Sequence, residues 1–273
     1  MFAINDRSLV LRVLLSAFAA SILAGIYAFT ASPVYRSEVL VVPVDWERAG
    51  ASIGTDGGIG GLASIAGLDL GRSNQSKVEA IATLKSHSFI ADFVVDEDIR
   101  KVLYADAWDE SSGSWDEEPT VNDATIHFLK QVMSVQEDRG TGLVTLRIDW
   151  QDPTVGAQWA NQLVDRLNAA MRNRSTEIAT ASISFLEKEL STTSNADTIQ
   201  SINRLLEQQI HRIMIANVLT EYAFRVIDPA VPSDLDDPVF PNKTLIILIG
   251  FLLGAILSAG LILLSKSFSI RIS

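Results

Sequence analysis

Two long uncharged apolar runs, one near each end of the chain, constrain it more than any other feature. Val13 to Thr30 reads VLLSAFAASILAGIYAFT and Thr244 to Ser265 reads TLIILIGFLLGAILSAGLILLS, with no Asp, Glu, Lys or Arg in either. A helix rises about 1.5 Å per residue, so the 22 residues of the second run reach about 33 Å, enough for a hydrocarbon core of ~30 Å. The first run is shorter, and Leu9, Val10 and Leu11 extend it if Arg12 snorkels to the interface. A cleaved signal peptide competes for that first run. The run is longer than the usual apolar signal core, however, and Thr30-Ala31-Ser32-Pro33 makes a poor cleavage site. A soluble core helix is rarely apolar on every face, so the second run reads as a membrane span.

Basic residues close to the runs set the expected orientation. Arg7 and Arg12 precede the first, Lys266 and Arg271 follow the second, and only Asp6 opposes them. The inner flanks are acidic instead: Glu38 and Asp45 after the first run, Asp228, Asp234, Asp236 and Asp237 before the second. The positive-inside rule then places both termini in the cytoplasm. The expected layout is a tail over 1–12, spans over 13–31 and 244–265, and a tail over 266–273. These tails are too short to hold a kinase domain. The chain carries a net charge of −11; without the four terminal basic residues and Asp6, the middle block keeps 18 basic against 32 acidic residues, or −14. That surplus excludes a whole-chain nucleic-acid binder, which needs Lys and Arg against phosphate. The absence of cysteine excludes thiol catalysis, disulfides and Cys-ligated metals.

Along the middle block, Tyr35 to Val44 is β-branched and predicts a strand, with Pro43 at its end or on an edge. Gly50 to Gly71 is glycine-dense and predicts an irregular loop. Helical spacing predicts a helix from Ser76 to about Tyr104, broken near His87-Ser88. Ala107 to Pro119 reads as an acidic surface loop with two tryptophans. Thr120 to Gln131 reads as a second helix, capped by Thr120 or Asn122. Val132 to Glu137 and Leu143 to Trp150 read as a hairpin. Asp152-Pro153 opens a long helix to Ser191, with Trp159, Ala160, Leu163, Val164, Leu167, Ala170 and Met171 on one stripe. A polar break at Ser191 to Asn195 turns the chain into a second helix, Asp197 to Tyr222. Ala223 to Ile227 predicts a last strand.

The search for catalytic chemistry finds weak patterns. Gly50-Ala51-Ser52-Ile53-Gly54 matches a nucleophile elbow, but glycines follow where that motif needs a helix. There is no Walker A loop. His87, His127 and His211 lack metal-ligand spacing. Asp234, Asp236 and Asp237 show no Ca²⁺-loop pattern and read as a solvated acidic loop. The tryptophans read as core or interface anchors before sugar platforms. The mixed charges of the hairpin, Arg166, Arg172, Arg174, Arg204 and Arg212 among Glu177, Glu187, Glu189, Glu207 and Glu221, suit either a solvated face or pairing between subunits.

Both apolar runs carry a small residue at every fourth position: Ala17, Ser21 and Gly25 in the first, Gly250, Gly254 and Ser258 in the second. Such stripes let helices approach closely in lipid, where packing drives association.

This layout resembles the Wzz, or chain-length-determinant, family of bacterial polysaccharide co-polymerases. The resemblance rests on Tyr35-Arg36-Ser37 leading to Pro43, Gly61-Leu62-Ala63-Ser64 followed by Ile65-Ala66-Gly67, Asp152-Pro153 with Ala160-Asn161, and Phe224-Arg225-Val226-Ile227-Asp228-Pro229-Ala230. Pro232, Pro238 and then Pro241-Asn242-Lys243 lead into the last run. The segment Ser233 to Asp237 departs from the family pattern. The resemblance implies a membrane-anchored α+β protein in the bacterial inner membrane. Two transmembrane helices would flank a periplasmic α/β base (32–152) with a long antiparallel helical hairpin (153–222) and a Pro-rich return (223–243). It further implies a ring-like homo-oligomer, with no cofactor and no enzymatic step. That ring would act beside a membrane glycan polymerase and a growing lipid-linked polysaccharide to set chain length. The alternative is a membrane adaptor for a cytoplasmic tyrosine kinase in exopolysaccharide export.

Overall fold

The computed structural model describes residues 5–44 and 72–272; of these, the side chains of 5–13, 72–75, 259 and 261–272 are outside the description. The glycine-dense loop, with Ser52 and Gly61 to Gly67, therefore lies outside the described residues. In chain order the elements are α1 (Asn5–Thr30), β1 (Tyr35–Pro43), α2 (Arg72–Leu84), α3 (His87–Asp96), α4 (Ile99–Leu103), β2 (Trp108–Asp109), β3 (Ser114–Trp115), α5 (Val121–His127), β4 (Met133–Glu137), β5 (Val144–Trp150), α6 (Pro153–Thr192), α7 (Ala196–Val218), β6 (Phe224–Asp228) and α8 (Lys243–Ile272). The fold is α+β with long helices.

Two compact units divide the chain. The first comprises Met1–Arg36, Trp150–Pro153 and Ser233–Ser273. Its helices α1 and α8 cover the two apolar runs. Among the described residues no helix is long and apolar enough to cross a membrane. The spans expected over 13–31 and 244–265 extend past the residues whose side chains are described. Backbone bonds stitch the ends of this unit together. Val34 N donates to Phe240 O at 2.8 Å, Val239 N returns the bond to Val34 O at 2.8 Å, and the Tyr35 hydroxyl donates to Leu235 O at 3.2 Å.

The second unit comprises Ser37–Asp149 and Thr154–Pro232. Its four-stranded sheet runs β4-β5-β1-β6. Pro43 ends β1, opposite Phe224, and β1 lies inside the sheet, so the proline terminates a strand instead of marking an edge. β1 alternates sides as a half-buried strand should: Tyr35, Ser37, Val39 and Val41 are buried. Val144, Leu146 and Ile148 do the same on β5. The apolar stripe of α6 supplies Trp159, Ala160, Leu163, Val164 and Leu167 to the core. An aromatic chain runs through it, Phe93 to Phe128 at 5.8 Å and Phe128 to Trp159 at 5.7 Å between ring centroids, both edge-on. Edge-on rings set positive rims against negative faces, which adds about 0.5–1.5 kcal/mol per pair beyond burial. Gly156 lets α6 approach the sheet: a Cβ there would sit 3.2 Å from Ser37 Oγ and 3.7 Å from Ile148 Cγ2.

Four elements differ from the sequence expectation. The Ser76–Tyr104 helix is three helices, with Ser86 capping α3 by accepting from Phe89 N at 3.3 Å. The loop of residues 107–119 contains a small hairpin, β2 against β3, closed by Trp108 and Trp115 at 4.9 Å. Thr120 caps α5, which ends at His127 and passes into a π-helical turn over Phe128–Val132. That turn keeps Phe128 and Val132 buried while the chain leaves the helix for β4. α7 stops at Val218, four residues before the expected Tyr222, because Tyr222 turns inward to a buried position.

Candidate functional site

The helical hairpin is legible from its return contacts. α6 runs 40 residues, about 60 Å at 1.5 Å per residue. Asn195 then caps α7, its Oδ1 accepting from Asp197 N at 2.9 Å and Thr198 N at 3.1 Å. As the chain returns, Tyr222 meets Ser175 (hydroxyl to Oγ, 2.7 Å), Phe224 meets Asn168, and Ala230 meets Asn161. Advancing sequence on one side matches receding sequence on the other, so the segment after α7 runs antiparallel to α6.

Two asparagines on α6, seven residues apart and so two turns along one face, hold that return. Asn168 is 3% exposed. Its Nδ2 donates to Phe224 O at 2.9 Å, and its Oδ1 accepts from Ala223 N and Phe224 N, each at 2.8 Å. Asn161 repeats the pattern at Ala230, donating at 2.9 Å and accepting at 3.0 Å. An amide carries donor and acceptor on separate atoms, so it can give to and take from adjacent backbone groups at once. Glu221 Oε1 adds a bond from Val226 N at 3.0 Å. β6 is an edge strand, and these side chains occupy backbone groups that an edge would otherwise offer to another chain. Asn168 was missed in the sequence, although an Asn inside an apolar helix stripe was a readable signal.

In the first unit, α1 and α8 meet through small residues. A Cβ on Gly254 would come within 2.6 Å of Ala20 Cβ and 2.9 Å of Ala17 Cα; on Gly250 it would come within 2.5 Å of Ala24 Cβ and 3.2 Å of Ala20 O. Ala17 is fully buried there. Ser21 Cα lies beside Gly250, and Gly25 faces Ile247. Ser258 Oγ bonds back to Ala255 O at 3.0 Å within its own helix. Ala20 and Ala24 join the contact although the fourfold stripe had not included them. Outward from this seam, Leu15, Phe18, Leu23, Phe29, Leu248, Ile256 and Leu257 are all more than half exposed.

Residues 187–267 match the family model described as the G-rich domain on putative tyrosine kinase. The match takes in the end of α6, α7, β6, the proline segment and most of α8, the stretch that carries the Phe224–Ala230 and Pro241–Lys243 motifs. Over these residues the chain is similar to that domain family. Two solved structures are similar to it. One is a full-length bacterial polysaccharide co-polymerase, at 12% identity and a TM-score of 0.39, over 95% of this chain and 94% of that one. The other is a fragment of WzzB, a polysaccharide co-polymerase from Salmonella Typhimurium, at 11% identity and a TM-score of 0.32, over 75% of this chain and 98% of that one. No curated protein matches the chain.

The residues that carried the chain-length-determinant resemblance fall at joints. Ser37 is buried under Gly156. Asp152 precedes α6, and Pro153 is its first residue. Asp228 ends β6 opposite Leu40. Pro229 and Pro232 are exposed, Pro238 is half-buried and Pro241 buried. Lys243 opens α8 with its ammonium 5.0 Å from the Phe29 ring centroid. The weaker chemical candidates do not converge. His87 bonds Asn122 Oδ1 at 3.0 Å, His127 stacks edge-on with Tyr104 at 5.7 Å, and His211 lies on α7. Asp234, Asp236 and Asp237 are exposed, and among the described residues no three acids or histidines could hold a metal. Lys101 lies 4.8 Å from the Trp108 ring centroid, and Trp159 is in the core. Burial, and then the charge of Asp123, raise the Tyr104 pKa above its ordinary value.

Proposed function

We propose that this chain is a non-enzymatic regulator of polysaccharide chain length in a bacterial inner membrane. Both termini lie in the cytoplasm and the unit of Ser37–Asp149 and Thr154–Pro232 lies in the periplasm. α1 and α8 cross the bilayer as a pair, seamed by Ala17, Ser21, Gly250 and Gly254. Copies assemble into a ring-like homo-oligomer that scaffolds a membrane glycan polymerase working on a lipid-linked polysaccharide. The observation that carries this reading is the family match over 187–267, which joins the return strand, the proline approach and the last apolar helix. The glycine seam supports the anchor, since helices in lipid associate by close packing while apolar side chains face outward.

A second reading is a membrane partner for a cytoplasmic tyrosine kinase in exopolysaccharide export. The description of the matched family, which names a putative tyrosine kinase, favours it. Deleting the gene and resolving the surface glycan on a gel separates the two. The regulator reading expects a shifted or broadened length distribution. An unchanged distribution, with loss of tyrosine phosphorylation in a partner kinase, selects the second. Reporter fusions at each terminus should report cytoplasm; a periplasmic terminus would break the proposed topology.

A further inference from the structure

Two consecutive helices each turn one polar pair toward the long helix. α2 presents Glu79 and Thr83, α3 presents Ser88 and Asp92, and in each case the i,i+4 spacing stacks the pair on one face. Arg174 of α6 closes the third side, and the mostly buried Phe89 forms part of the lining. The resulting open groove has a volume of about 500 Å³, within the range of small-ligand sites.

Its side chains are lightly committed. Arg174 Nε stands 3.7 Å from Glu79 Oε1, beyond ordinary hydrogen-bonding distance, with both side chains well exposed. Thr83 Oγ1 has only the Met171 sulfur, at 3.8 Å, as acceptor. Asp92 has neither a hydrogen bond nor an ion pair among the described residues. Two carboxylates against one guanidinium make the lining net negative, which disfavours a phosphate or carboxylate ligand. The groove brings no third acid or histidine to Glu79 and Asp92, so among the described residues it lacks the cluster of three that a protein-built cation site uses. An apolar ligand would cover the charges without pairing them, at a desolvation cost. Carboxylates only accept, guanidinium only donates and hydroxyls do both. Hydroxyl groups, which both donate and accept, can pair with all of them, and a sugar ring presents several side by side.

We propose that this groove binds a neutral glycan segment of one or two rings. The inference rests on the chain-length reading, and it adds a place where the periplasmic unit holds the polymer. The test uses the full chain in nanodiscs, with neutral oligosaccharides of one to three repeat units released from the host's own surface polysaccharide. Calorimetry should show binding, and hydrogen exchange should slow in residues 79–92 and around 174. Combining Arg174→Met with Asp92→Asn, both at exposed positions, should weaken binding at least tenfold with an unchanged melting temperature. No binding, protection confined to another region, or equal binding by the double variant would overturn the inference. A glycan ladder unaffected by gene deletion strikes at the chain-length reading itself. An altered ladder without protection of the groove strikes only at the groove.

Discussion

The buried amide of Asn168 closes three hydrogen bonds on the backbone of Ala223 and Phe224, so one side chain in the middle of α6 fixes where the sheet's last strand begins. Removing it leaves two donors and one acceptor buried without partners. Each such group costs about 1–3 kcal/mol. Asn168→Ala should therefore destabilise the protein by at least about 3 kcal/mol, and Asn161→Ala, which strands fewer and less buried groups, by about half as much. Urea unfolding of the two variants checks both the size and the order.

The glycine seam makes a positional prediction. Leu at Gly250 or Gly254 must push α1 away, because even a Cβ meets backbone atoms within about 3 Å. Overpacking of this kind costs about 1–3 kcal/mol. Leu at Gly260, where a Cβ has nothing within 4 Å among the described residues, should be neutral. Thermal unfolding in detergent and the surface-glycan ladder should separate the first two variants from the third. Equal behaviour of all three would remove the seam.

Acid should loosen the β2–β3 hairpin. Asp109 accepts from Ser111 Oγ at 2.6 Å, Ser112 Oγ at 2.7 Å and Ser111 N at 2.8 Å, and the Ser111 and Ser112 hydroxyls chiefly lower its pKa from 3.8 to about 2. A depressed carboxylate favours the folded hairpin above its unfolded pKa, and that contribution is lost as pH falls through the folded value. The indole resonances of Trp108 and Trp115 should hold steady down to about pH 4 and shift between there and about pH 2. Asp109→Ala should lack this step.

At the tip of the hairpin, Asn195→Ala removes the acceptor for Asp197 N and Thr198 N. Loss of an N-cap costs about 1 kcal/mol. Exchange of the first-turn amides of α7 should speed up, while amides near Asn168 stay protected.

Much of the local structure was legible because local rules set it. Asp152-Pro153 announced α6, the polar stretch after Ser191 announced the turn, and alternation announced β4 and β5. The misses share one cause, which is tertiary demand on a locally ambiguous segment. Leu219 to Tyr222 could continue a helix, yet Tyr222 is needed against Ser175. The acidic segment around Trp108 looks like solvated loop, and ring packing folds it into strands. The Asn168 clamp depends on a partner 56 residues away, and the polar groove assembles three helices, so no single window of sequence contains either.

The neighbours β1 and β6 are about 180 residues apart in the chain. At a ribosomal pace of roughly 5–20 residues per second, the first of them waits on the order of 10–40 s for its partner to be made. During that interval its flank is an open template for wrong pairing. A translational pause, or a chaperone engaged before Phe224 emerges, should therefore govern the yield of correctly assembled protein more than any change made after β6 is complete.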